Sequence, residues 1–124
     1  MLFKSFEELQ FYKVARQFRN SIYGLIRELP EEEKYNLVSQ MRRAATSLTN
    51  NIAEGYCRFH YQENIQFCRQ TRGSLSELVD DLNICLDQEY FPEEQLKPLR
   101  ELALEVNKQL NGYAAHRKRR KEET

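Results

Sequence analysis

Residues 61–86 read YQENIQFCRQTRGSLSELVDDLNICL, and this stretch decides the fold. Tyr61, Ile65, Cys68, Arg72, Leu75, Val79, Leu82 and Leu86 follow one another at steps of four and three without a slip. Such steps align side chains along one stripe of a helix, and their alternation is the heptad seam by which helices pack together. One member of the stripe, Arg72, is charged.

The same period extends outward on both sides. Upstream, Ser5 and Glu8 have the S-x-x-E spacing of a capping box. Phe11, Ala15, Phe18, Ile22, Leu25 and Leu29 then predict a first helix about 36 Å long at ~1.5 Å per residue. Pro30 and the run Glu31-Glu32-Glu33 end it and open the next, since proline and carboxylates suit a first helical turn. Leu37, Met41, Ala44, Leu48 and Ile52 mark the second helix, with Gly55 expected as a break or bend. Downstream, Phe91-Pro92-Glu93-Glu94 is a stop followed by a new acidic start, and Leu96, Leu99, Ala103, Val106, Leu110 and Tyr113 form the fourth seam. Short links between long helices favour antiparallel neighbours. The expectation is an all-α, antiparallel up-down-up-down four-helix bundle over residues 1–116, with a basic C-terminal tail at 117–124.

Further apolar residues lie off these seams: Leu9, Tyr12, Val14, Tyr23 and Ile26 on the first helix, Phe67 and Leu78 on the third. An isolated bundle needs a stripe of about three positions in seven. The surplus is expected to face another chain, giving a homo-oligomer.

Composition agrees with one helical domain. The chain has 124 residues, four Gly, three Pro and no Trp, too little Gly and Pro for collagen or low-complexity disorder. Glu7 and Glu8 fall where a secretory signal would need apolar residues, and no apolar run approaches the ~20 residues of a membrane span. Cys57, Cys68 and Cys85 are odd in number and far apart, as expected of reduced thiols in a cytoplasmic protein with no membrane partner.

Polar residues also line up. Gln40, Ser47 and Glu54 are spaced by seven, with Arg43 and Asn51 between them, while Gln70, Ser74, Glu77 and Asp81 step by four, three and four. Two such rows on adjacent helices predict a shared hydrogen-bond network; solvated faces are the alternative. Mid-helix Gly73 costs about 1 kcal/mol against Ala, so a close backbone approach is expected there.

These rows carry a resemblance. Gln40-Met41-Arg42-Arg43-Ala44-Ala45-Thr46-Ser47, with Asn51-Ile52-Ala53-Glu54-Gly55 and Arg58, resembles the signature of proteins encoded by intervening sequences in bacterial 23S ribosomal RNA genes, often called four helix bundle proteins. Gly73-Ser74-Leu75-Ser76-Glu77-Leu78 resembles their second motif, and Phe6-Glu7-Glu8-Leu9 with Tyr12-Lys13 their opening. The likeness runs from about Phe3 to Leu110. One departure is Thr49, where the family commonly has proline, and the C-terminal basic run is an individual addition. The resemblance implies a homopentamer without enzymatic activity. It also implies kinship with the accessory variability-determinant proteins of diversity-generating retroelements, which are basic pentamers that bind nucleic acid and partner a reverse transcriptase.

No active site emerges from the residues themselves. With His60 and His116 alone, the paired Glu-x-x-His motifs of a di-metal bundle are absent. No phosphate loop, nucleophile elbow or H-E-x-x-H is present, and no cofactor is implied. Cys57 and His60 are three residues apart near Arg58, but a nucleophile and base also need an orienting group and a cleft. Asp80, Asp81 and Asp87 read as a solvated helix face.

Charge distribution points elsewhere. The 19 basic and 19 acidic residues cancel, yet Arg117-Lys118-Arg119-Arg120-Lys121 is an unbroken cationic run. The centre carries Arg42, Arg43, Arg58, Arg69 and Arg72 against Glu54 and Glu63, and Lys13, Arg16 and Arg19 add a patch on the first helix. The planar fork of arginine suits phosphates, and Tyr56, Phe59, Tyr61 and Phe67 among these cations suit stacking. The expected partner is RNA or another nucleic acid. The competing expectation is an oligomeric protein-interaction scaffold in which Arg42, Arg43 and Arg72 pair with Glu54 and Glu77 within or between subunits.

Overall fold

The four seams become four helices: α1 (Gln10–Ile26), α2 (Leu37–Tyr56), α3 (Tyr61–Asp87) and α4 (Glu93–Glu123). The computed structural model describes residues 5–57 and 61–123, with side chains for 5–57 and 64–118, and among these residues there is no strand. Helix α1 packs against α2 and α4, and α3 packs against the same two, so the four enclose one core.

Each boundary has a local cause. The Ser5 hydroxyl accepts from the Glu7 amide at 3.1 Å and caps a short 3-10 turn, Phe6–Glu8. Extended backbone at Leu9 separates that turn from α1, so Ser5 caps the turn and not the long helix, and among the described residues the Glu8 side chain does not complete the expected box. The acidic run forms a second 3-10 turn, Glu31–Glu33, and α2 begins only at Leu37. Glu33 supports that start: its Oε1 accepts from the Leu37 amide at 3.4 Å and the Asn36 side chain at 3.1 Å. Helix α3 ends with Tyr90 N donating to Cys85 O at 2.9 Å and Glu89 N to Leu86 O at 3.0 Å. Glu89 lies in the left-handed region at φ 62°, the Schellman geometry in which glycine is usual. Pro92 follows and α4 opens on Glu93 and Glu94.

Seams one, two and four are buried as their spacing predicts, except at the last members of the first and fourth: Leu29, half-buried beyond the end of α1, and half-buried Tyr113. Phe18, Ile22, Met41, Leu48, Leu96, Val106 and Leu110 are fully enclosed. The seam of α3 is rotated from the predicted one. Its core positions are Asn64, Cys68, Thr71, Leu75, Leu78, Asp81, Leu82 and Cys85, while Arg72 is exposed and Ile65, Val79 and Leu86 are half-buried. Polar residues at three core positions, Asn64, Thr71 and Asp81, hid the true stripe. Asp81 is 3 % exposed, which corrects its reading as part of a solvated face.

Three further expectations are corrected. The apolar surplus is largely consumed inside the chain: Val14, Ile26 and Leu78 are buried, and Tyr12 and Tyr23 pack against the core. Among the described residues the large apolar side chains left exposed are Tyr35 and Leu104. Gly55 does not break α2, which runs on to Tyr56. It is instead the site of close approach, because a Cβ there would lie 2.9 Å from Phe67 Cβ, whereas nothing among the described residues comes within 4 Å of one at Gly73. Thr49, in place of the proline, leaves α2 unbroken and takes a hydrogen bond from Arg19 Nη1 at 3.1 Å.

Candidate nucleic-acid interface

Along α2, residues 39, 42, 43, 46, 50 and 54 fall within one broad face by helical spacing. Tyr23 of α1 and the turn at Lys34 and Tyr35 stand beside this face, and together they line a cleft of about 880 Å³. From Val38 to Glu54 it extends about 24 Å along the helix at ~1.5 Å per residue. Its cations are Lys34, Arg42 and Arg43, and Glu54 is the one carboxylate in its lining.

The floor and wall are fixed by short polar contacts. Tyr23 and Thr46 share a hydrogen bond through their hydroxyls, and Thr46 also donates to Arg42 O at 2.9 Å. The Arg42 guanidinium lies 5.3 Å from the Tyr23 ring centroid, and the Lys34 ammonium 5.4 Å from that of Tyr35. Lys34 also reaches Glu31 at 3.9 Å, an exposed pair that does little to neutralise it. The expected pairing of Arg42, Arg43 and Arg72 with Glu54 and Glu77 does not occur among the described residues. The ion pairs among the described residues are Lys34–Glu31 and Arg100–Glu93, and Arg72 donates to Asn111 on α4 at 3.0 Å.

The polar rows do meet, at fewer points than their length predicts. Ser74 donates to Ser47 at 3.0 Å and Asn51 to Ser47 at 2.9 Å, joining α3 to α2. Ser47, Asn51, Gln70, Gly73, Ser74 and Glu77 border a shallow groove there. Gln40 bonds Asn36 on its own side, at 3.0 Å, and takes no part in that junction.

The remaining candidates are dispersed. Lys13 and Arg16 are exposed on α1, and Arg19 is half-buried with its guanidinium on Asn20 and Thr49. Arg69 is exposed on α3. The basic run continues α4, with Arg117 half-buried and Lys118 exposed. Arg58 and His60 lie outside the described residues, as do the side chains of Tyr61, Glu63, Arg119, Arg120 and Lys121. The proposed meeting of Cys57 and His60 lies outside them as well.

Sequence reasoning missed Tyr35, Lys34 and Asn50. The signal for Tyr35 was an aromatic ring in the polar run EEEKYN, where no seam could bury it. It also missed a buried polar cluster at the far end of α2. Asn64 donates to Gly55 O at 2.6 Å and to the Tyr113 hydroxyl at 3.1 Å, and Phe11 packs its ring 5.5 Å from that of Tyr113. Burial pushes the Tyr113 hydroxyl and the Cys68 thiol above their usual pKa, and the Cys85 thiol up to about 11, aided by Asp81. The two buried thiols are therefore held protonated, which suits packing better than nucleophilic work. At the other end, Tyr90 donates to Glu33 Oε2 at 2.6 Å, which lowers the Glu33 pKa and raises that of Tyr90 to about 12. No described helix is long and apolar enough to cross a membrane.

Comparison with known proteins agrees with this architecture. The family model described as 23S rRNA-intervening sequence protein matches residues 7–112. A crystal structure of a protein of unknown function from the S23 ribosomal protein family of Bacteroides thetaiotaomicron superposes with a TM-score of 0.77 at 23% identity. The match covers 85% of this chain and 95% of that one, a likeness of fold. No curated protein matches the chain.

Proposed function

This chain belongs to the 23S rRNA-intervening sequence protein family, and from that premise we propose that it is a non-catalytic, cytoplasmic accessory protein that binds RNA or another nucleic acid. In this reading the helices run up-down-up-down and the bundle assembles as a homopentamer. One observation carries the binding: Arg42 and Arg43 are exposed on a cleft and have no carboxylate partner among the described residues. Surface arginines left unneutralised on a concave face are a phosphate-binding arrangement. In an assembly of five, weak contacts from each cleft and each basic run would combine by avidity. We extend the proposal to partnership with a retroelement reverse transcriptase, resting on the resemblance at residues 40–47 and 73–78.

The test is a titration of a structured RNA by fluorescence anisotropy over a range of salt, with the protein's mass followed by light scattering. Log affinity should fall linearly with log salt, and deleting residues 117–124 should weaken binding and flatten the slope. Affinity that does not change with salt contradicts the proposal. Exposed Glu77 and the groove at Gly73 favour a second reading, a scaffold held by contacts between copies. Under it, Glu77→Ala dissociates the assembly and no RNA is retained.

A further inference from the structure

We infer that the α2 cleft is a subsite for unpaired nucleotides, with Tyr35 as its stacking platform. The inference rests on the nucleic-acid reading above and narrows it from backbone attraction to recognition of single-stranded segments.

Tyr35 is 88 % exposed. An aromatic ring so open to water contributes little to folding, and among the described residues Leu104 alone is comparable. Tyr35 stands on the turn before α2, at one end of a cleft whose other aromatic, Tyr23, is fixed by Thr46 and faced by Arg42. Cations and rings therefore alternate: Lys34 beside Tyr35, Arg42 beside Tyr23, and Arg43 on the adjoining helical face. Base stacking on aromatic rings together with cations tracking the backbone is the physical basis of single-strand binding. A duplex keeps its bases in the stack and can offer only phosphates to such a surface.

The cleft also holds a group for base edges. Asn50 is exposed on its lining, and its amide makes no hydrogen bond among the described residues. A free amide presents both a donor and an acceptor, as base edges require. Glu54 near the opposite end repels phosphate, which places the backbone at the Lys34 and Arg42 end.

The test compares a single-stranded oligonucleotide of mixed sequence with a blunt duplex of equal length, using the full chain at one low salt concentration. The chain has seven Tyr and no Trp, so stacking is read directly as quenching of tyrosine fluorescence. Tyr35→Ala should weaken single-strand binding about tenfold, from the free energy of one base–aromatic stack, and should leave duplex binding unchanged. Tyr35→Phe should restore it, because stacking needs the ring and not the hydroxyl. Equal loss on both ligands, or no loss on either, overturns the subsite while leaving salt-dependent binding in place. No binding of either ligand by the unaltered protein overturns the subsite and the nucleic-acid reading together.

Discussion

Asn64 and Asp81 occupy the same core-facing stripe of α3, 17 residues apart, and are buried to the same degree, at 1 % and 3 % exposure. Their surroundings are opposite. Both amide protons of Asn64 are used, one on Gly55 O near the end of α2 and one on the Tyr113 hydroxyl of α4, so a single side chain ties three helices. Asp81 Oδ2 is buried without a hydrogen-bond partner among the described residues, and its pKa is pushed up to about 6, first by burial and then by Glu77 and Asp80. A buried polar group specifies a fold when it is satisfied and costs stability when it is not. One end of α3 is locked and the other carries a strained carboxylate.

The sharpest way to break that contrast is to remove the lock. Asn64→Leu leaves Gly55 O and the Tyr113 hydroxyl without their donor, and by the cost of orphaned buried groups should destabilise the chain by about 3 kcal/mol. Urea denaturation followed by circular dichroism measures it, and an unchanged midpoint would show that the contacts are incidental.

Asp81→Asn should move stability the other way. The folded pKa lies above the unfolded value of 3.8, so folding favours the protonated acid. The native chain should lose stability as pH rises from about 4 to about 6, and stay at the lower level above that, a loss on the order of 3 kcal/mol. The asparagine variant should be free of this loss and more stable at neutral pH. Glu33, whose pKa is lowered, produces its opposite slope below its usual 4.5, so the interval between pH 4.5 and 6 isolates Asp81. A variant whose pH profile parallels that of the native chain there would contradict the assignment.

Gly55→Ala is the smallest change. Its new Cβ meets Phe67 Cβ, an atom that cannot swing aside. Overpacking of about 1–3 kcal/mol is offset by roughly 1 kcal/mol of helix propensity, leaving a net loss of about 1 kcal/mol. The same change at Gly73, which faces open space, should stabilise.

This contrast also explains what could be read in advance. The predicted stripes of α1, α2 and α4 hold only apolar residues, with buried Thr49 lying beside that of α2, so spacing alone located them. On α3 the core positions include Asn64, Thr71 and Asp81, while half-buried Ile65, Val79 and Leu86 keep a neighbouring stripe apolar. Periodicity therefore selected the wrong neighbour by about one position. The close approach was misassigned for a related reason: a glycine mid-helix is visible in sequence, but which glycine meets a partner depends on the rotation of α3. Arg42 and Arg43 were legible as unpaired charge. Tyr35 was not, because it belongs to no period, and only the path of the turn between α1 and α2 brings it to the cleft.

The central claim is that Arg42 and Arg43 bind phosphate, and its most direct test is the salt dependence of affinity for a single-stranded oligonucleotide. The native protein should give a linear plot of log affinity against log salt. Arg42→Ala combined with Arg43→Ala should keep the assembly's mass, weaken binding, and shallow the slope by about 1.4, two contacts at ~0.7 each for a single strand. A slope and affinity equal to those of the native protein would contradict the account.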